Sequence, residues 1–426
     1  MKTSVRADIL LCRPFPKAQL DVTECGTKHE GPVDMAICIK GGRVLTADGT
    51  FSKTDVTVAD NTISAVGEIR APSSDLALNA EGKRVLPGIV DIHGDAFERQ
   101  IMPRAGVHIP LAPALIDTDR QMLASGITTA FHSVTYSWEP GLRGRDNCVA
   151  LLDAMKALKS ILACDTRFHL RFETYNLDAV DEVCDWMKNG DIDLLAFNDH
   201  TPKVLRYLDS DNPAIRKKLN RDIDRTGLSA DAFEDLANRV RVRAGEVPKA
   251  IEKLATVARE SGIAQLSHDD ASPAMRDGYQ KLGCAIAEFP LTLETTQHAA
   301  KLGNAIVFGG PNVMRGGSHM GGVNAAEMVQ DGLCTVLASD YYYPSLLHAA
   351  YRLVAEKRTP SFAEAWALIS ANPARAAGLN DRGVIDVGKR ADLIVIDDSN
   401  PDLLRVEAVI AGGKLHSFGA KISPTV

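Results

Sequence analysis

Between residues 84 and 378 eight short apolar segments recur, separated by stretches long enough for crossover helices, and few folds accept that order. The segments lie at 85–91, 127–134, 168–173, 192–198, 263–267, 285–289, 305–308 and 335–339. Between them apolar residues return at helical spacing, as in Leu151, Met155, Leu158 and Leu162, or Val247, Ile251, Leu254 and Val257. Strands buried on both faces and joined by helices build a parallel sheet, and eight such units are what a TIM-like (β/α)8 barrel requires. The stretch 201–245 breaks the rhythm. It is charged, helical in pattern and without a strand, and it reads as a helical insert in the barrel, a solvated face or a lid that closes on substrate.

The two ends of the chain have a different texture. Segments 36–40, 43–46, 55–59 and 62–66, and later 393–396, 406–411 and 414–418, are short and separated by turn-forming pairs such as Gly41-Gly42, Asp60-Asn61 and Gly412-Gly413. They predict a small β-sandwich domain assembled from both termini, from 36–83 and 379–426, flanking a barrel over 84–378. Residues 1–35 carry several breakers and little periodicity, and read as an N-terminal extension. Against 55 acidic residues the chain sets 48 Lys and Arg, a net charge of −7, with 5% aromatics; this argues against a nucleic-acid partner. The eight cysteines are scattered without a CxxC pair, and no run of about 20 apolar residues occurs. A cytoplasmic protein with reduced thiols and no membrane partner is the expectation.

Active sites of such barrels sit where the strands end, and here those ends are polar. They carry His93 and Asp95, Glu173, His200, His268 and Asp340. Imidazole and carboxylate donors without thiolate suit zinc first, with Mn, Fe or Ni as alternatives, and a bridging carboxylate allows two ions roughly 3.5–4 Å apart. Glu288, Asp269 and Asp270 are placed to orient such ligands. His132 and His169 fall within or at the start of strands and read as core histidines.

VLPGIVDIHGD (85–95), NPARAAGL (372–379) and GVIDVGKRADLIVID (383–397) resemble the amidohydrolase superfamily. More narrowly, SHDDA (267–271), IAEFPLTLE (286–294), GGPNVMRGGSHMGGVNAAE (309–327) and ASDYYYPSLL (338–347) resemble a family of diphosphatases of the carbon–phosphorus lyase pathway, which act on α-D-ribose 1-methylphosphonate 5-triphosphate. The likeness covers most of 36–415. The chain departs from the superfamily in having His93-Gly94-Asp95 where His-x-His is common, and Glu173 where a carboxylated lysine often bridges the metals. The resemblance implies two divalent cations bridged by Glu173, Asp340 as proton acceptor, and hydrolysis of a triphosphate to a monophosphate and pyrophosphate. A small phosphorylated substrate needs local positive charge, for which Arg99, Arg104, Arg171, Asn312 and Arg315 are candidates. The loop Gly316-Gly317-Ser318-His319 and the side chains of Tyr341 and Tyr342 complete the expected binding set. The rival readings are an amidohydrolase cleaving a C–N bond and a barrel that serves as a non-catalytic scaffold. A homo-oligomer is left open.

Overall fold

The computed structural model describes residues 36–67, 76–104, 106–317 and 323–424; the N-terminal extension lies outside them. Eight parallel strands stand side by side in chain order: β1 Ile89–Gly94, β2 Ile127–Tyr136, β3 Asp165–Glu173, β4 Leu194–Asn198, β5 Ala264–His268, β6 Cys284–Glu288, β7 Ala305–Gly309 and β8 Val336–Ala338. The two edges meet just past their ends. Asp340 N–H donates to the His93 carbonyl at 2.9 Å, and Asp95 N–H donates to the Asp340 carbonyl at 3.0 Å. This closes the barrel of eight strands that the alternation predicts.

Side chains alternate across each strand, and the burial follows. Phe168, Leu170 and Phe172 of β3 and Leu195 and Phe197 of β4 pack outward with Leu151, Met155 and Leu254 of the surrounding helices. Val90, Ile92, Phe131, Leu194, Ala196, Leu266, Ile286, Val307, Val336 and Ala338 fill the barrel. One more step of two along β4, β5, β6 and β8 turns Asn198, His268, Glu288 and Asp340 inward at the mouth.

The expected first strand, 85–91, is in fact two. Arg84–Pro87 pairs antiparallel with Leu393–Asp397 in the terminal sheet, and β1 begins at Ile89. Gly88 between them is pressed against β2: a Cβ there would fall 2.2 Å from Thr128 Oγ1. The strands expected as a β-sandwich hydrogen-bond into one nine-stranded sheet with its own core of Ile37, Ile39, Val56, Val58, Ile63, Leu393 and Ile410. The bulge between Ile39 and Gly42 explains the continuity. It hands the strand Ile37–Leu45 from a parallel partner at Leu76–Asn79 to another at Arg84–Pro87.

The stretch 201–245 is helical as expected, with helices Thr201–Leu208, Pro213–Asp224 and Ala230–Arg241. Asn212 and Ser229 cap the second and third by accepting from Ala214 and Ala232 N–H. Leu208, Leu219, Ile223, Phe233 and Ala237 give the insert its own core, against which Trp138 from the loop after β2 packs. No helix among the described residues is long and apolar enough to cross a membrane. The six described cysteines are free and buried.

A buried carboxylate reinforces the seam between β1 and β8. Asp91 accepts from Ser339 N–H at 3.0 Å, from Ser339 Oγ at 2.5 Å and from His93 N–H at 3.3 Å. Asp91→Ala would leave these buried donors without an acceptor and is expected to destabilise the fold by about 3 kcal/mol. Chemical denaturation of the variant beside Ser339→Ala, which loses a single hydroxyl, measures the difference.

Candidate functional site

The mouth of the barrel gathers the donors expected from the strand ends. His93, Asp95 and Asp340 form one group of possible ligands, His200, His268 and Asp269 a second, and His93, His268 and Glu288 a third; within each the donor atoms lie within 4.8 Å of one another. Two histidines are shared between groups, so the three describe one continuous ring. Asp269, Phe289 and Asp340, just beyond β5, β6 and β8, have φ of 58°, 54° and 54°. The left-handed backbone at these strand ends is strained for residues with a Cβ, and it re-aims their side chains at the mouth.

Glu288 organises two imidazoles. Its Oε2 accepts from His268 Nδ1 at 2.7 Å, and its Oε1 lies 2.7 Å from His93 Nδ1. Burial would raise its pKa, but the His93 charge and the His268 hydrogen bond outweigh that and hold it well below the carboxylate range. With Nδ1 of both rings set against Glu288, Nε2 is the ring atom that each would offer to an ion. Glu173 does the same for His200: Oε1 meets His200 Nδ1 at 2.7 Å and Oε2 accepts His200 N–H at 3.2 Å. The Nε2 of His200 points to Asp269 Oδ2 at 3.4 Å. Burial disfavours a charged His200, yet the Glu173 carboxylate and the Asp269 hydrogen bond prevail and raise it to about 9. Asp340 is pushed up to about 6 by burial and by the neighbouring Asp95 charge.

Not every expected residue takes the expected place. Glu173 stands outside the three-donor groups, bound to His200. Asp269, expected to orient ligands, is a candidate ligand, whereas Asp270 turns away to Arg276 at 3.2 Å and Ser267 at 2.5 Å in the interior. Only the register of a single residue separates these two aspartates, and SHDD does not disclose it. Arg171 lies inside the ring, with Nη2 3.1 Å from His268 Nε2 and Nη1 3.5 Å from Asp95 Oδ2. Asn198, which sequence reasoning passed over, is fully buried between Glu173 and His268 in strand register, with neither amide atom hydrogen-bonded among the described residues. Its place four residues after Leu194 on the inward face was the available signal. His169 and His132 are buried: His169 Nδ1 donates to the Ile92 carbonyl at 2.9 Å, and His132 packs on Phe97.

The expected phosphate side is changed in detail. Arg315 ends a short helix, Gly310–Arg315, and reaches Tyr341 Oη at 3.5 Å; Arg99 donates to the Tyr341 carbonyl. The N–H groups of Gly316 and Gly317 do not await a phosphate. They donate to Val313 and Asn312 carbonyls at 3.2 and 3.0 Å, terminating that helix, so Gly316 at φ 79° serves as a cap. Arg104 is exposed, and Tyr342 lines with Arg99 and His348 a side groove to which no donor of the ring contributes. Ser318 and His319 lie outside the described residues.

Residues 236–415 match the model of a family described as the amidohydrolase family. Over 339 residues the chain is 33% identical to the α-D-ribose 1-methylphosphonate 5-triphosphate diphosphatase of Escherichia coli K12, covering 77% of this chain and 88% of that protein. Among solved structures an amidohydrolase superposes with a TM-score of 0.60 at 17% identity, over 90% of this chain and 99% of that one. A molinate hydrolase superposes at 0.59 and 15%, over 90% and 95%. These last two likenesses are of fold.

Because Glu288 holds two imidazoles at once, Glu288→Gln is expected to lower divalent-metal affinity about 10–100-fold. Competition with a chromophoric chelator measures it; unchanged affinity would show that the two histidines need no such support.

Proposed function

The chain belongs to the amidohydrolase family, and from that premise we propose that it hydrolyses α-D-ribose 1-methylphosphonate 5-triphosphate to the 5-phosphate and pyrophosphate, in phosphonate catabolism. The observation that carries the reading is the ring of imidazole and carboxylate donors, in a chain one-third identical over most of its length to such a diphosphatase. The donors contain nitrogen and oxygen but no thiolate, and within each group of three they lie within 4.8 Å of one another, so divalent ions fit them; zinc is proposed, with Mn, Fe or Ni able to replace it. His93, Asp95, His200, His268, Asp269 and Asp340 would hold them, with Glu288 and Glu173 fixing the imidazoles. When bound, such ions neutralise phosphate charge and bring the acidity of water near neutral pH.

The residues of the chain do the rest. A water positioned between Asp340 and the α-phosphorus loses its proton to Asp340 as its oxygen bonds to phosphorus. The bond from the α-phosphorus to the bridging oxygen breaks, and pyrophosphate leaves with the proton that Asp340 returns. Arg171, buried beside Asp95, offers fixed positive charge to the phosphoryl oxygens, and Arg315 with Asn312 stands on the side of the leaving group. A small phosphorylated molecule is thus the proposed partner, and the cytoplasm the place where it is met.

Phosphorus NMR of the products formed in heavy-oxygen water tests the reaction: the label is expected in the 5-phosphate. Label in pyrophosphate would move the attack to another phosphorus. Cleavage of N-acyl amino acids, with the triphosphate untouched, would favour the C–N hydrolase, and no turnover with any metal would favour the scaffold. Asp340→Asn is expected to cut turnover by about 10²–10⁴ while the metal-free protein melts no lower than the parent at neutral pH, since a charge disfavoured by burial and Asp95 is removed. Metal uptake follows the same residue and His200. In the metal-free protein an ion must displace a proton from His200 below about pH 9 and a second from Asp340 below about pH 6, so affinity is expected to fall as pH drops through that range, steepening below 6, as read by calorimetry.

A further inference from the structure

A cavity of about 190 Å³, roughly six waters in volume, opens between the ends of β2 to β4 and the helical insert. Glu173 and His200 form its inner wall, so it adjoins the donor ring. Trp138 and Tyr207 are among its lining residues. The insert is fastened there: Trp138 Nε1 donates to Thr201 Oγ1 at 2.9 Å. His200 is paired with Glu173, and both arginines of the cavity are committed as well. Arg143 is held in a two-pronged pair with Glu98 at 3.0 and 3.1 Å, and Arg225 is held by Glu139 at 3.0 Å and Asp222 at 3.1 Å. Lys203 has no carboxylate partner among the described residues, and its ammonium stands 6.0 Å from the Tyr207 ring.

This combination suits a particular kind of group. Aromatic surface takes the C–H face of a sugar, and one uncommitted ammonium takes one negative charge. A polyphosphate would meet too little free positive charge here. We propose that this cavity is the specificity pocket for the end of the substrate away from the reacting phosphate, a pentose carrying a singly charged anionic group, with Lys203 contacting that charge. The inference rests on the diphosphatase reading for the identity of the group, but the insert's role in binding can be measured apart from cleavage.

The test compares Lys203→Ala and Lys203→Arg with the parent in the metal-loaded protein. With α-D-ribose 1-methylphosphonate 5-triphosphate, Lys203→Ala is expected to raise KM about 10–100-fold with kcat little changed, and Lys203→Arg to restore most of the loss. With inorganic tripolyphosphate, which has no sugar, KM should be the same for all three. Equal changes for both substrates, or none, would overturn the assignment. Calorimetric binding of α-D-ribose 1-methylphosphonate 5-phosphate separates the two readings. Binding that depends on Lys203, without cleavage of any triphosphate, upholds the pocket and sinks the diphosphatase. Cleavage of the ribosyl triphosphate by a protein whose binding of the 5-phosphate is the same in Lys203→Ala does the reverse.

Discussion

The closure of the barrel and the assembly of the site are one event. Asp340 exchanges backbone hydrogen bonds with His93 and Asp95, and the same three residues present one group of metal donors. A seam that opened by one residue would separate ligands that lie 247 positions apart in the chain between His93 and Asp340. Asp91 guards against this from below, a carboxylate kept in a dry interior by the hydroxyl and amide of Ser339. Its burial costs free energy that folding must offset elsewhere, in the apolar layers beneath. Stability and function therefore depend on the same few bonds at one junction.

Electrostatics explain why the ring wants cations. Asp95, Glu173, Asp269, Glu288 and Asp340 crowd one end of the barrel, opposed in the metal-free protein by Arg171 and by His93 and His200, whose protonation burial opposes but Glu288 and Glu173 favour. The strain of that excess appears in Asp340, whose carboxyl is pushed up to about 6 by burial and Asp95. Binding divalent ions would exchange repulsion for attraction and turn an acidic mouth into one that accepts a polyanion. This resolves the apparent conflict between a net charge of −7 and an anionic substrate. The charge of the whole chain says little about a site that imports its own cations.

Much of this was legible in the sequence, for a definite reason. Strands buried on both faces announce themselves as apolar runs, and in a barrel the residue ending each run faces the mouth, so His93, Glu173, His268 and Asp340 could be named from position alone. What escaped is whatever depends on register or on partners. Val85 and Asp91 read as one strand because Gly88 between them looks like any glycine, and only the approach of Thr128 reveals the break. The glycines after Arg315 look like a phosphate loop, but whether their N–H groups face a ligand or a helix end is decided by three-dimensional geometry. Asp269 and Asp270 are chemically identical neighbours that face opposite environments. Asn198 carries no motif, and it becomes visible when both ends of its amide are found without partners.

The insert shows how such a barrel divides its labour. Donors fixed at strand ends tolerate little displacement, because coordination distances vary by tenths of an ångström, and they belong on the most rigid part of the fold. Recognition of a substrate's distant end needs shape and one or two charges rather than that precision, and a helical subdomain with its own core, clasped to the barrel by Trp138, can supply both. Chemistry and selectivity are then separable: helices 201–241 could change without disturbing the seam that holds Asp340 against His93. A chain that keeps the ring and alters Lys203, Tyr207 and their neighbours would be expected to keep the reaction and exchange the molecule it acts upon.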